Sequence, residues 1–142
     1  MRDSALYLAD QVGDDGRFVY GYLPCFDRRI DTYNALRHAS PTYAMIEAWE
    51  MLRDPQLAAA IDRALGYPVR ELIRPATLGN GTQAAFLVDM GDEIKLGGSA
   101  VAILALVQHA KATGCRDHLE LMEQLALGIR SMQNSKTGAF VA

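Results

Sequence analysis

The stretch that most constrains this chain is Gly97 to Gly114. After Gly97-Gly98-Ser99 it runs AVAILALVQHAKAT before Gly114. The spacing predicts a helix that is apolar around most of its circumference as far as Val107, and such a helix must be covered on several sides. The apolar part, Ser99 to Val107, is too short to cross a bilayer, which takes about 20 residues. Its cover must therefore come from protein. A chain of 142 residues suffices for one domain, because chains of that size bury roughly 70% of their surface on folding.

Composition narrows the classes further. Half of the residues are hydrophobic and the formal net charge is −3, which argues against disorder. No basic run exceeds Arg28-Arg29, so an extended nucleic-acid footprint is not expected. The first residues carry Asp3 and Asp10 and have no hydrophobic signal core, so a cytoplasmic protein without a membrane segment is expected. Cys25 and Cys115 show no CxxC spacing and read as reduced core thiols. The three histidines lack zinc spacing, and neither a metal nor a cofactor is expected.

The other elements follow from caps and breakers. Ser4 to Gln11 reads as a short helix, broken by Gly13-Asp14-Asp15-Gly16. Arg17 to Tyr22 alternates as an extended segment. Asp31 is expected to cap a helix over Thr32 to His38. Ser40-Pro41 has the form of a second cap and first-turn proline, with a helix onward to about Arg53. The two pieces form either one helix kinked at Pro41 or two helices with a break. Ala44, Met45, Ala48, Trp49 and Leu52 share one stripe. Asp54-Pro55 starts another helix that Gly66 is expected to stop, and Tyr67-Pro68 restarts a helical turn ended by Pro75. Ala84 to Val88 and Glu93 to Leu96 form a small hairpin around Asp89-Met90-Gly91-Asp92. The last helix covers about Asp117 to Met132. The expected fold is all-α, a single domain of antiparallel αα-hairpins with one small β-hairpin.

An internal repeat supports that reading. Gln11, Gly16, Phe18 and Val19 recur at a constant offset as Gln133, Gly138, Phe140 and Val141. Each copy closes a helix and enters an extended segment. SPTYAMIEAWEML and GGSAVAILALVQHA echo one another as apolar inner helices that precede more amphipathic ones. This organisation resembles the α/α-toroid superfamily, in whose terpene-cyclase branch a glutamine–glycine–aromatic turn follows the outer helix. The stretches Tyr33-Asn34-Ala35-Leu36-Arg37-His38-Ala39 and Lys95-Leu96-Gly97-Gly98-Ser99-Ala100 look more like toroid proteins of bacterial glycan-processing type. The resemblance implies alternating inner and outer helices forming an arc or part of a ring, with a site at the inner-helix N-termini. An open arc leaves apolar helix faces uncovered, so a homodimer is expected.

The most chemically loaded segment is Asp31 to His38. On a helix Tyr33 and Arg37 share one face, and Asn34 and His38 a neighbouring one. Arg37 offers a bidentate fork for a carboxylate or phosphate. His38 titrates nearest neutrality and is the candidate for moving a proton, with Glu47 as a candidate carboxylate. Lys95 beside Gly97-Gly98 is a candidate anion-binding residue. Tyr22, with Tyr20, Phe26, Tyr33 and Tyr43, is a candidate for stacking on a sugar face. Each group also has an ordinary use, as helix cap, ion pair or core filler. Two functions result: a carbohydrate- or anion-handling protein with its site at the inner-helix N-termini, or a non-catalytic binding and assembly module that pairs through apolar helix faces. The partners expected are a small sugar or anion and a second copy of the chain.

Overall fold

The computed structural model describes residues 1–89 and 91–140; Met90 and Val141, both used above, lie outside them. The elements in order are α1 (Arg2–Asp10), β1 (Tyr22–Leu23), β2 (Arg28–Arg29), α2 (Ala35–Leu52), α3 (Pro55–Tyr67), β3 (Ile73–Thr77), β4 (Gln83–Asp89), β5 (Glu93–Ile94), α4 (Leu96–Thr113) and α5 (Leu119–Ser131). The all-α expectation is therefore wrong. Helices dominate, but β1 and β2 form a two-stranded antiparallel arm, and β3, β4 and β5 form a three-stranded antiparallel sheet in that order.

The strands missed from the sequence are β2 and β3. Pro75 reads as a stop, yet it pairs with Ala85 inside the ladder that runs from Ile73 opposite Leu87 to Thr77 opposite Gln83. Strand β3 lies at the sheet edge, where a residue lacking an N–H is tolerated. The segment before it, Pro68–Leu72, is a wide single turn continuing α3. Gly66 does not end α3, which passes through it to Tyr67. The β4–β5 hairpin was legible, although Leu96 belongs to α4 rather than to the second arm.

Helix α2 is continuous from Ala35 to Leu52 with Pro41 inside it. Asn34, not Asp31, is its cap, the side-chain oxygen accepting from the Arg37 N–H at 2.9 Å. Ser40 Oγ donates back to Leu36 O rather than opening a new helix. A proline in a helix interior removes one ladder bond; packing of α2 along α4 holds the axis together across it. Asp54 caps α3 with Pro55 in its first turn, as the sequence indicates.

The core is made by Met45 and Ile46 of α2, Leu57, Ile61 and Ala64 of α3, Leu87 of β4, Ala105 and Leu106 of α4, and Leu125 of α5. Helix α5 lies so close over β4 that a Cβ on Gly128 would come within 2.2 Å of Ala85 O. The Ser99 hydroxyl accepts the Leu87 N–H at 3.1 Å and joins the start of α4 to β4. Helix α4 is less enclosed than its sequence suggests: Leu104 is 54% exposed. Cys25 is exposed rather than in the core, and both cysteines are free. No helix among the described residues is long and apolar enough to cross a membrane.

The sequence repeat is also structural. Val12 bridges Phe18 and Gln133 bridges Phe140, both antiparallel, and Gly16 and Gly138 take φ values of +90° and +74°. The first turn is clasped by α3, where Arg63 donates to Gly13 O and Val12 O. A Cβ on Gly16 would meet Arg63 O at 2.2 Å.

Candidate functional site

The segment entering α2 is held from both sides. Asn34 donates its amide to Asp89 Oδ2 at 3.0 Å while its oxygen caps the helix. The other Asp89 oxygen accepts the Ala35 N–H at 3.1 Å. A carboxylate at a helix N-terminus is favoured by the helix dipole. Lys95 completes the cluster, 3.4 Å from Asp89 and 2.9 Å from Glu93. The bond to Glu93 and the Glu93 charge, then the weaker pull of Asp89, raise its pKa. Lys95 and Asn34 are thus engaged within the protein, and the anion site expected at Lys95 is already filled by carboxylates. Gly98 packs against Leu87, while Gly97 faces open space.

His38 is 1% exposed. Its Nε2 lies 2.6 Å from Ala64 O and its Nδ1 2.5 Å from the Tyr33 hydroxyl. A carbonyl only accepts, so the proton is assigned to Nε2, and Tyr33 donates to Nδ1. The Tyr33 oxygen in turn accepts the Phe18 N–H at 3.0 Å. Burial lowers the His38 pKa, the Ala64 bond opposing it, and pushes that of Tyr33 up to about 12. Phe18 and Tyr67 pack their rings on the imidazole. The neutral ring has no free nitrogen. The expected role in moving a proton gives way to one in tying the first turn, the α2 entry and α3 together.

Glu47 is not brought to His38. It is exposed farther along α2, accepts from the Tyr43 hydroxyl at 2.8 Å, and lines a shallow apolar groove with Met1, Leu8, Ala44 and Met51. A catalytic pair of His38 and Glu47 does not exist in this fold. Tyr22 is exposed on the β1–β2 arm and bonds Asp27; it lines neither groove described next.

Two adjoining grooves remain. One, of about 210 Å³, is lined by Tyr7, Gln11, Tyr20, Tyr33, Asn34, Arg37 and His38 among others. Here Arg37 is exposed, donates to the Tyr20 hydroxyl at 3.1 Å and lies 5.4 Å from the centre of that ring. The other, of about 390 Å³, lies between the first turn and the arm, and its lining includes Asp15, Arg17, Tyr20, Arg28, Arg29 and Asp31. Phe18, Val19, Tyr20 and Tyr33 belong to both. The Arg17 guanidinium sits 4.6 Å from the Tyr33 ring centre and 5.9 Å from that of Tyr67. Sequence reasoning passed over Arg17. The available signal was a cation leading an aromatic alternation, Arg17-Phe18-Val19-Tyr20, a common source of cation–π pairs.

Of the residues singled out from the sequence, the fold thus gathers Tyr33, Asn34, Arg37 and His38 at one groove and separates Tyr22, Glu47 and Lys95 from it. Comparison of the chain with known protein families, curated proteins and solved structures finds no significant match.

Proposed function

We propose that the chain is a non-catalytic binding module for an acidic carbohydrate, taken up along the tyrosine-lined groove at the α2 N-terminus. The observation that carries this reading is the placement of Arg37 on Tyr20, exposed at the groove and hydrogen-bonded to a single phenol. A guanidinium so placed retains N–H groups for a carboxylate fork, and the half-buried Tyr20 ring offers an apolar face to a sugar. The resemblance of residues 33–39 and 95–100 to glycan-processing toroid proteins points to the same ligand class. The engagement of both His38 nitrogens argues for binding rather than chemistry.

The experiment is calorimetric titration of the whole chain with glucuronate and with glucose. Glucuronate binds the more tightly of the two. Arg37→Lys folds with near-parent stability and loses tenfold or more in glucuronate affinity, about 1.4 kcal/mol, because lysine keeps the charge but not the planar fork. A large fall in melting temperature for Arg37→Lys, with no sugar acid bound by the parent, assigns Arg37 to structure and overturns the reading.

A second reading, assembly through apolar faces, is favoured by one observation: Met1, Tyr7 and Met51 are each more than half exposed around the α1–α2 face, as is Leu104 on α4. A pairing of copies through these faces is compatible with sugar binding at the groove.

A further inference from the structure

The larger groove contains cations that, among the described residues, meet no protein oxygen. Among the described residues, the guanidinium groups of Arg17, Arg28 and Arg29 make neither an ion pair nor a hydrogen bond to an acceptor. Arg2, Arg37, Arg53, Arg63 and Arg70, by contrast, all donate to protein oxygens. Two carboxylates, Asp15 and Asp31, line the same groove, and neither closes on an arginine side chain; Asp15 accepts the Arg17 backbone N–H instead. The chain as a whole is acidic, with a net charge of −3, so acceptors for these arginines are not scarce. Arg74, Arg116 and Arg130 also make no side-chain bond among the described residues, but only Arg17, Arg28 and Arg29 line one groove together.

Arg17 is also oriented. Its guanidinium is held over the Tyr33 ring, with Tyr67 farther off, and its N–H donors meet no acceptor among the described residues. Arg28 and Arg29 belong to β2 of the arm, across the groove from the first turn. We propose that the acidic group of the ligand is a phosphoryl group, held here by Arg17 from one wall and by the Arg28–Arg29 strand from the other, and that the ligand is a phosphorylated sugar. This rests on the reading that the tyrosine-lined groove takes a sugar. A carboxylate is planar and is satisfied by one fork. A phosphate monoester presents three terminal oxygens in different directions and carries close to two charges at neutral pH, which matches donors arriving from two walls. Asp15 and Asp31 suit the remainder of such a ligand, since carboxylates accept from sugar hydroxyls. The Tyr20 and Tyr33 rings, common to both grooves, connect the phosphoryl end to the Arg37 end.

The test is calorimetric titration of the full chain with glucose 6-phosphate, glucuronate, glucose and inorganic phosphate, repeated on two variants. Arg28→Gln combined with Arg29→Gln removes exposed side chains that contact no protein acceptor, so folding is retained. Arg17→Lys keeps the charge and removes the fork. Glucose 6-phosphate is expected to bind the parent at least tenfold more tightly than any of the other three. The double variant loses tenfold or more for the sugar phosphate while glucuronate binding is unchanged, and Arg17→Lys lowers sugar-phosphate affinity in the same direction. Equal binding of glucuronate and glucose 6-phosphate, unaltered in the double variant, overturns the phosphoryl assignment and leaves the acidic-sugar reading standing. Inorganic phosphate binding as tightly as the sugar phosphate overturns the assignment of a sugar. No binding of any of the four overturns both readings.

Discussion

At the scale of single residues, His38 couples the fold to pH. Its folded-state pKa lies below the ordinary value of 6.5 because burial disfavours the charged ring. The unfolded chain therefore binds the proton more readily. The stability that the neutral ring contributes is complete above about pH 6.5 and is lost as the pH falls through and below that value. Thermal melts of the parent should shift downward over that acid range, and His38→Gln should lose part of that slope although it is less stable at neutral pH. An identical slope in the two proteins would remove His38 as the cause. Tyr33→Phe tests the other half of the pair. It deprives the Phe18 N–H of its acceptor and His38 Nδ1 of its donor, and each unpaired buried group costs about 1–3 kcal/mol. A fall in urea midpoint with unchanged slope is the expected result. The candidate residues around His38 were legible because polar types clustered at a predicted helix start. Their engagement with Ala64 and Asp89 was not, because those partners belong to α3 and β4, distant in sequence.

At the scale of elements, α2 shows how packing overrides a local signal. Serine followed by proline is a good helix start, and the chain nonetheless continues through Pro41. The helix lacks one ladder bond there. Pro41→Ala restores an N–H and should raise stability by about 1–2 kcal/mol, part of the gain being offset by a freer unfolded chain. A lower denaturation midpoint would mean that the proline ring itself packs usefully. Trp49 lies on the apolar stripe, as its spacing indicates, but it is only partly buried, with Arg53 4.4 Å from its ring centre. Trp49→Ala should therefore cost about 3 kcal/mol, the lower end for large aromatic truncations, read from the same denaturant titration. Strand β3 was missed for the converse reason: Pro75 argues against a strand locally, and only an edge position makes it acceptable.

At the scale of the molecule, the exposed apolar residues set an expectation for assembly. Leu104 on α4 and Met51 near the end of α2 stand open to solvent, and contiguous apolar patches commonly become interfaces. Light scattering at tens of micromolar should give the mass of a dimer, and Leu104→Asp should shift it toward the monomer. A monomer mass for the parent would overturn the assembly reading without touching the groove. What could be read from the residues alone were the local matters: helix periods, the Asp54 cap, the glycine turns and the repeat that joins Gln11 to Gln133. Each depends on neighbours within a few positions, where propensity and spacing act directly. The tertiary structure decided the rest. It chose the mixed architecture, because pairing β3 with β4 satisfies backbone groups that neither strand satisfies alone. It also chose the use of each polar side chain, because burial and a distant acceptor determine whether an arginine, a lysine or a histidine is occupied or left for a ligand.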